Sequence, residues 1–485
     1  MEKWKSRWGL IFAAMGAAIG TGNIWRFPKE VAANGGGAFM IAWIIFLFTW
    51  SIPLLIAEFS IGKKTGLGTI GSFKVFAGKK YAFMGAWMLV VSTVIGFYYA
   101  VVMGWVIRYF TVAASGSLSP GTDTSALWGN FITSPFEVIF FQLVALLVSA
   151  YVVYRGIAKG IEVVNKILIP ALFILLLIAA VWALCLPGAV NGLKFLFIPR
   201  MEYLGRSETW ISALAQSAWS CSAGMGMAIT YAVYMRRKDD TALNAFITGF
   251  GNNAVSLIAG IAVICTVFAL SSTPGAAMGT MESESFSLTF VHLTRLFTLM
   301  PGGVFIAAIF FLAMSFAALT SMISGFEIAV RNFMDHGWSR HKSLTFITII
   351  TFLLGIPSAV IVSGNTPVFL NNQDHVWGMG LIVSGLFVAF AVWKYGVSRF
   401  RNELINTGYN DIRIGAWWDF VIIVLFPLQF VVLILWYFYQ SISMHPGTWF
   451  NPMEPTGFAT VIVQWILVIV ALIMLNKWIG RKIIK

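Results

Sequence analysis

Apolar stretches of roughly 20 residues, the length that crosses a bilayer core as helix, recur along the whole chain. That repetition constrains the fold more than any motif. Spans are expected near 8–33, 38–62, 82–111, 136–154, 161–186, 209–235, 242–271, 302–333, 343–362, 376–396, 416–441 and 457–479. Charged residues make up only 11% of the chain, too few to cover a soluble surface of this size. A membrane β-barrel would need alternating segments of about 10 residues, and the sequence lacks them. The expected fold class is therefore an all-α polytopic membrane protein with 12 transmembrane helices.

The net charge of +13 invites a nucleic-acid reading, but its distribution argues against one. With the N-terminus placed in the cytoplasm, all but seven of the 32 Lys and Arg fall on the cytoplasmic side. The seven are Arg26, Lys29, Arg108, Lys194, Arg200, Arg206 and Arg295. Such asymmetry is the positive-inside pattern. It predicts a multi-pass protein of the plasma membrane with both termini cytoplasmic, whose partner is the lipid bilayer and not nucleic acid. The oligomeric state stays open. The opening segment has the basic start and small-residue patch of a signal peptide but is expected to be retained, because the apolar stretch resumes after Pro28. Cys185, Cys221 and Cys265 sit within or at the edges of spans, as packing residues rather than a disulfide framework. The segment 283–300 has helical periodicity yet is too mixed to span, so a short helix over the outer face is expected.

Two spans are interrupted. The first carries Gly16, Gly20 and Gly22 followed by Asn23, Arg26 and Pro28; the sixth carries Gly224 and Gly226 after Ser217, Ser220 and Ser222. They lie five spans apart, so the second unit enters the membrane in the opposite sense. Glycines at small-residue spacing also let helices pack closely, but two interruptions in corresponding places point to an inverted-repeat transporter site. A broken helix exposes N–H groups at one stump and C=O groups at the other, which suit a carboxylate and a small cation. Thr21 and Gly22 would supply N–H groups, Gly16, Ala18 and Ile19 carbonyls, and Asn23 a side-chain oxygen. Thr320 and Ser321 in the eighth span either bond back to their own helix or complete a sodium site. Glu58 is a carboxylate inside a span, which is a functional signal in itself.

The runs "NIWRFPKEVAANGGGAF" (23–39), "IPLLIAEFSIG" (52–62), "FYYAVVMGW" (97–105), "GIEVVNKILIP" (160–170), "GMGMAITYAVY" (224–234) and "LTSMISGFE" (319–327) resemble the neurotransmitter:sodium symporter family, of the leucine-transporter fold. The resemblance covers spans one to ten, with the last two matched only by hydropathy. It implies a 5+5 inverted-repeat core over residues 1–400, with repeat one near 8–186 and repeat two near 209–396, followed by helices 11 and 12 and a cytoplasmic tail over 401–485. It implies two sodium ions. One would be held by the Ala18 carbonyl, Asn23, Ser220, Asn252 and the substrate carboxylate; the other by carbonyls of Gly16, Ile19 and Ala317 with the hydroxyls of Thr320 and Ser321.

The substrate pocket so implied takes in Ala17, Ala18, Gly20, Thr21, Gly22, Ile95, Tyr99, Trp219, Ser220, Ser222, Met225, Ser321, Ser324 and Gly325. Within it Thr21, Gly22 and Tyr99 would meet the carboxylate, Ala17, Ser220 and Ser222 the amine, and Trp219 would be the lid. Arg26 and Asp374 resemble an outer gate, Glu58 a buried brace for unwound backbone. Gly160 and Pro170 match either a motif for unwinding span five or an ordinary Pro-kinked helix.

The departures are informative. Ala17 replaces an Asn found in some relatives, and Ser220 a Thr. The inner-gate Arg would fall at or before Met1, leaving Asp335 with Lys3 or Arg7 as a substitute partner. Ser256 stands where chloride-dependent members carry Ser and chloride-independent members carry Glu. With Gln216, Ser220 and Asn252 it would make a chloride site, although Trp43 replaces a Tyr ligand; chloride use stays open. Monoamine carriers have Asp where this chain has Gly20, so the substrate must bring its own carboxylate. Met225 and Gly325 leave room for a large side chain, which favours a hydrophobic or aromatic L-amino acid. Another small zwitterion or osmolyte, or a transporter-like sensor or channel, are the alternative readings. No nucleophile–base set or metal cluster suggests an enzyme.

Overall fold

The computed structural model describes residues 2–481 and Ile483. Met1, at or before which the inner-gate Arg is expected to fall, and Lys482, Ile484 and Lys485 of the basic tail lie outside the described residues. The helices that matter here are α1 (Arg7–Ala18), α2 (Arg26–Ala33), α3 (Gly37–Thr65), α4 (Lys79–Ala114), α5 (Pro135–Tyr154) and α6 (Ile157–Leu184). They continue with α7 (Ser207–Ser220), α8 (Met227–Ala232), α9 (Thr241–Leu270), α10 (Leu288–Leu299) and α11 (Gly303–Asp335). The chain ends with α12 (Arg340–Val360), α13 (Val368–Tyr395), α14 (Trp417–Met444) and α15 (Phe458–Arg481).

Ten of these are long and apolar enough to cross a membrane, and α1 with the segment Thr21–Ala33 makes an eleventh, bent by 70°. In the place of the sixth span stand α7 and α8, each too short to pass alone. This is a multi-pass, all-helical membrane protein, and its helices fall where the hydropathy put them.

Both breaks have local causes. α1 runs through Gly16 and Ala17 to Ala18, and the chain turns extended at Ile19 (ψ 116°) and Gly20 (φ −130°). The interruption is therefore Ile19–Trp25 rather than the stretch opening at Gly16. Pro28 sits in the first turn of α2, where a missing N–H costs nothing. In the sixth span Ser222 is the one non-glycine with positive φ among the described residues (52°). Gly224 (φ 96°) could carry no side chain on two counts, since a Cβ would also sit 2.9 Å from the Gly385 backbone nitrogen of α13. α6 is helical throughout, opening with a wide turn at Ile157–Ile161 and carrying Pro170 inside it.

The bundle buries Trp43, Trp50, Trp87, Trp105 and Tyr109 and turns Ile44, Leu147, Ile174, Leu467 and Met474 outward, as a lipid solvent permits. Of the most apolar stretch of α13, 72% is buried, against 22% for α14 and α15. The last two helices are thus the least buried of the ten. The helix foreseen in 283–300 exists as α10, and Phe290 stacks on Trp128 at 5.0 Å while Phe286 meets Trp25 at 5.3 Å. The three cysteines are unpaired, two of them buried.

Candidate functional site

The two breaks face each other across one cavity of about 530 Å³. It runs from the broken helices to Lys29, Glu30, Asp374 and Met444, away from the end of the bundle that holds Trp4, Tyr234 and Asp335. Its walls include Ala17, Ala18, Gly20, Thr21, Gly22, Asn23, Ile95, Tyr99, Trp219, Ser220, Ser222, Met225, Ser321 and Gly325. A Cβ placed on Gly325 would meet nothing within 4 Å, so that position is open space. Ser324 departs from its expected place in the pocket. It bonds to the Thr320 carbonyl (2.9 Å) and the Tyr231 hydroxyl (2.8 Å), because its side of α11 faces α8 rather than the cavity.

At the first break the Thr21 amide donates to Tyr99 Oη (3.3 Å), which marks where an acceptor can meet N–H and O–H donors together. The Gly20 amide donates to Asn23 Oδ1 (2.9 Å), pinning the turn. The Asn23 amide nitrogen is crowded by oxygen: Asn252 Oδ1 at 2.7 Å, Ser256 Oγ at 2.8 Å, Ser220 Oγ at 3.0 Å and the Asn252 carbonyl at 3.3 Å. One NH₂ group has two hydrogens for these four oxygens. A small cation among neutral oxygens fits such a set. Gln216, expected beside this cluster, is buried with Oε1 unpartnered, as is Nε1 of Trp43.

A second oxygen cluster lies between the end of α1 and α11. Ser321 Oγ donates to the Ile19 carbonyl (2.8 Å) and Thr320 Oγ1 to the Ala317 carbonyl (3.1 Å). Gly16 adjoins it, with Thr320 Cβ 3.0 Å from where a Gly16 Cβ would stand. All of these groups are neutral hard oxygens, so the donor chemistry suits sodium rather than a transition metal.

Glu58 is fully buried and takes the amides of Gly224 and Gly226 (the latter at 3.1 Å), satisfying backbone that the break left without helix partners. Ser222 Oγ reaches the Ala17 carbonyl at 3.0 Å, joining the two broken spans directly.

The expected gates divide. Arg26 and Asp374 both line the cavity but do not pair: Arg26 lies 3.7 Å from Glu30 and 5.1 Å over the Trp219 ring, while Asp374 accepts from Tyr98 Oη at 2.9 Å. At the other end Asp335 pairs with Arg331 and accepts from the Gly68 amide (2.6 Å). Neither expected substitute reaches Asp335. Lys3 Nζ donates to the Met235 carbonyl (2.7 Å), and Arg7 pairs with Asp411, because the chain before α1 lies across the end of α8.

Closure there uses groups the sequence did not single out. Tyr234 Oη donates to Glu327 (2.6 Å), Arg340 clamps the same carboxylate (2.7 Å), and Trp4 buries its ring against Tyr231 and Tyr234. The signal available was Glu327 itself, a second carboxylate inside a span.

Two broken spans whose stumps line one cavity define a class, that of secondary transporters working by alternating access. A sequence profile of the sodium:neurotransmitter symporter family matches residues 1–130 and 131–484. The chain is 32% identical to an uncharacterized sodium-dependent transporter of Methanocaldococcus jannaschii, over 88% of each protein. It is 31% identical to the uncharacterized sodium-dependent transporter YhdH of Bacillus subtilis, over 89% of this chain and 97% of that one. The crystal structure of MhsT in complex with L-phenylalanine superposes with a TM-score of 0.79 at 31% identity, covering 90% of this chain and 99% of MhsT. The chain belongs to the sodium:neurotransmitter symporter family, whose members are transporters and not enzymes.

Proposed function

We propose that this protein imports a hydrophobic or aromatic L-amino acid, coupled to two sodium ions, across the plasma membrane. The observation that carries the substrate class is the first break. Thr21 and Gly22 present amides beside the Tyr99 hydroxyl, and Gly20 carries no acidic side chain there to pair an amine. A substrate carboxylate meets the donors there and offers an oxygen to the sodium at Asn23, Ser220, Asn252 and the Ala18 carbonyl. The second sodium takes the Gly16, Ile19 and Ala317 carbonyls with Thr320 and Ser321. The open space over Gly325, beside Met225 and Ile95, accepts a large apolar side chain. The L-phenylalanine bound by MhsT supports this reading.

Counting α7 and α8 as one span gives twelve, with both termini cytoplasmic, a transport core over 1–400 and two added helices over 401–485. The cavity then faces outward, with Arg26 and Asp374 as the gate that closes after substrate enters. Two sodium ions beside a zwitterion leave positive charge in a site of neutral ligands. A chloride held by Gln216, Ser220, Asn252 and Ser256 would balance it, and uptake that persists unchanged in gluconate would refute that part.

A thermal-shift screen of amino acids and betaines, each in sodium and in potassium, tests the substrate class. Stabilisation by phenylalanine, leucine or tryptophan in sodium alone is expected. Stabilisation by betaines instead would replace the substrate assigned here.

A further inference from the structure

Asn165 lies in α6 midway between Gly160 and Pro170, with no exposed surface. Its amide nitrogen donates to the Ile161 carbonyl one turn back at 2.8 Å, and its Oδ1 has no hydrogen-bond partner. The flip is settled by Ile161, since the opposite orientation would set oxygen against oxygen. A side chain added to Gly16 would collide first with Asn165 Oδ1 and next with Thr320 Cβ. The oxygen therefore sits in the seam of α1, α6 and α11, against two residues of the second oxygen cluster.

A buried acceptor left unmet costs about 1–3 kcal/mol. A small apolar residue would fill the seam without that cost, so the polar group calls for an occupant. We propose that Asn165 supplies a further oxygen to the second sodium site, and that Gly16 lacks a side chain so that this oxygen can approach. The inference rests on reading Gly16, Ile19, Ala317, Thr320 and Ser321 as sodium ligands. An amide oxygen matches that set in chemistry, being neutral and hard. It also ties the ion to α6, a span that supplies none of the five other ligands.

The test is a sodium titration of thermal stability on the full-length protein in detergent, with potassium holding the ionic strength. Four proteins are compared: unaltered, Asn165→Ala, Asn165→Asp and Thr320→Ala. Asn165→Ala should raise the sodium concentration for half-maximal stabilisation about tenfold, as loss of a supporting ligand does at other metal sites. Asn165→Asp keeps an oxygen and adds charge, so it should match or exceed the unaltered affinity, which a purely structural role would not produce. Superimposable titrations for Asn165→Ala and the unaltered protein would overturn the inference, as would an Asp variant no better than Ala. If Thr320→Ala loses the response while Asn165→Ala keeps it, only Asn165 is misassigned. If Thr320→Ala also titrates normally, the second sodium site itself falls.

Discussion

Asn23 and Thr320 carry the account at the scale of single residues. Each belongs to a cluster of neutral oxygens that the proposed function assigns to a sodium ion. Asn23→Ala and Thr320→Ala should each abolish sodium-driven uptake while the protein still elutes as a folded species from a sizing column. Normal sodium dependence in both would refute the assigned sites. Ala17 keeps only its backbone in play, its carbonyl taking the Ser222 hydroxyl. The pairing of the two spans therefore does not need the Asn that some relatives carry there. Gly16 shows where residue-level reading of the sequence goes astray. It looked like the start of the break, yet the helix passes through it. Its glycine is explained by the close approach of Asn165, a contact between residues 149 positions apart that no local pattern announces.

Among the elements, the unwound turn between α7 and α8 depends on one carboxylate. Hydrogen bonds to a charged group contribute about 1.5–3 kcal/mol each. Glu58→Gln turns one acceptor into a donor facing the Gly224 and Gly226 amides. Hydrogen exchange across residues 221–228 should then rise by roughly tenfold or more, since about 1.4 kcal/mol is a factor of ten. Unchanged protection would show that the turn is held by α13 packing alone. The breaks themselves were legible because Gly, Ser and Asn cluster where an apolar helix should continue, and so was Glu58, a charge without water. The closure at the opposite end was not. Tyr234, Glu327 and Arg340 come from three separate helices or their ends; only Glu327, a carboxylate inside a span, carried a signal, and nothing in the sequence named its partners. The expected Asp335 partnership failed for a related reason: Arg331, one turn away on the same helix, is nearer than anything the N-terminus can offer.

For the molecule as a whole, the cavity opens at one end and is sealed at the other by Trp4, the Tyr234–Glu327–Arg340 cluster and the Arg331–Asp335 pair. Arg26 and Asp374 both line the cavity without pairing with each other, Arg26 lying beside Glu30 and Asp374 accepting from Tyr98. Size selection belongs to this scale, because it depends on the space left among four helices. Gly325→Val should reduce binding of tryptophan and phenylalanine about tenfold or more while leaving alanine nearly unchanged, as a filled pocket costs large ligands about 1–3 kcal/mol. Competition assays against a labelled amino acid would show it, and equal loss for every substrate would place the pocket elsewhere.

The central claim is that amino-acid movement is driven by sodium. Purified protein in liposomes, loaded with labelled L-phenylalanine outside and given either an inward sodium gradient or an equal potassium gradient, tests it most directly. The account predicts accumulation above the external concentration with sodium, collapsing when the gradient is dissipated, and none with potassium. Equal uptake in both salts, or equilibration without accumulation, would contradict it.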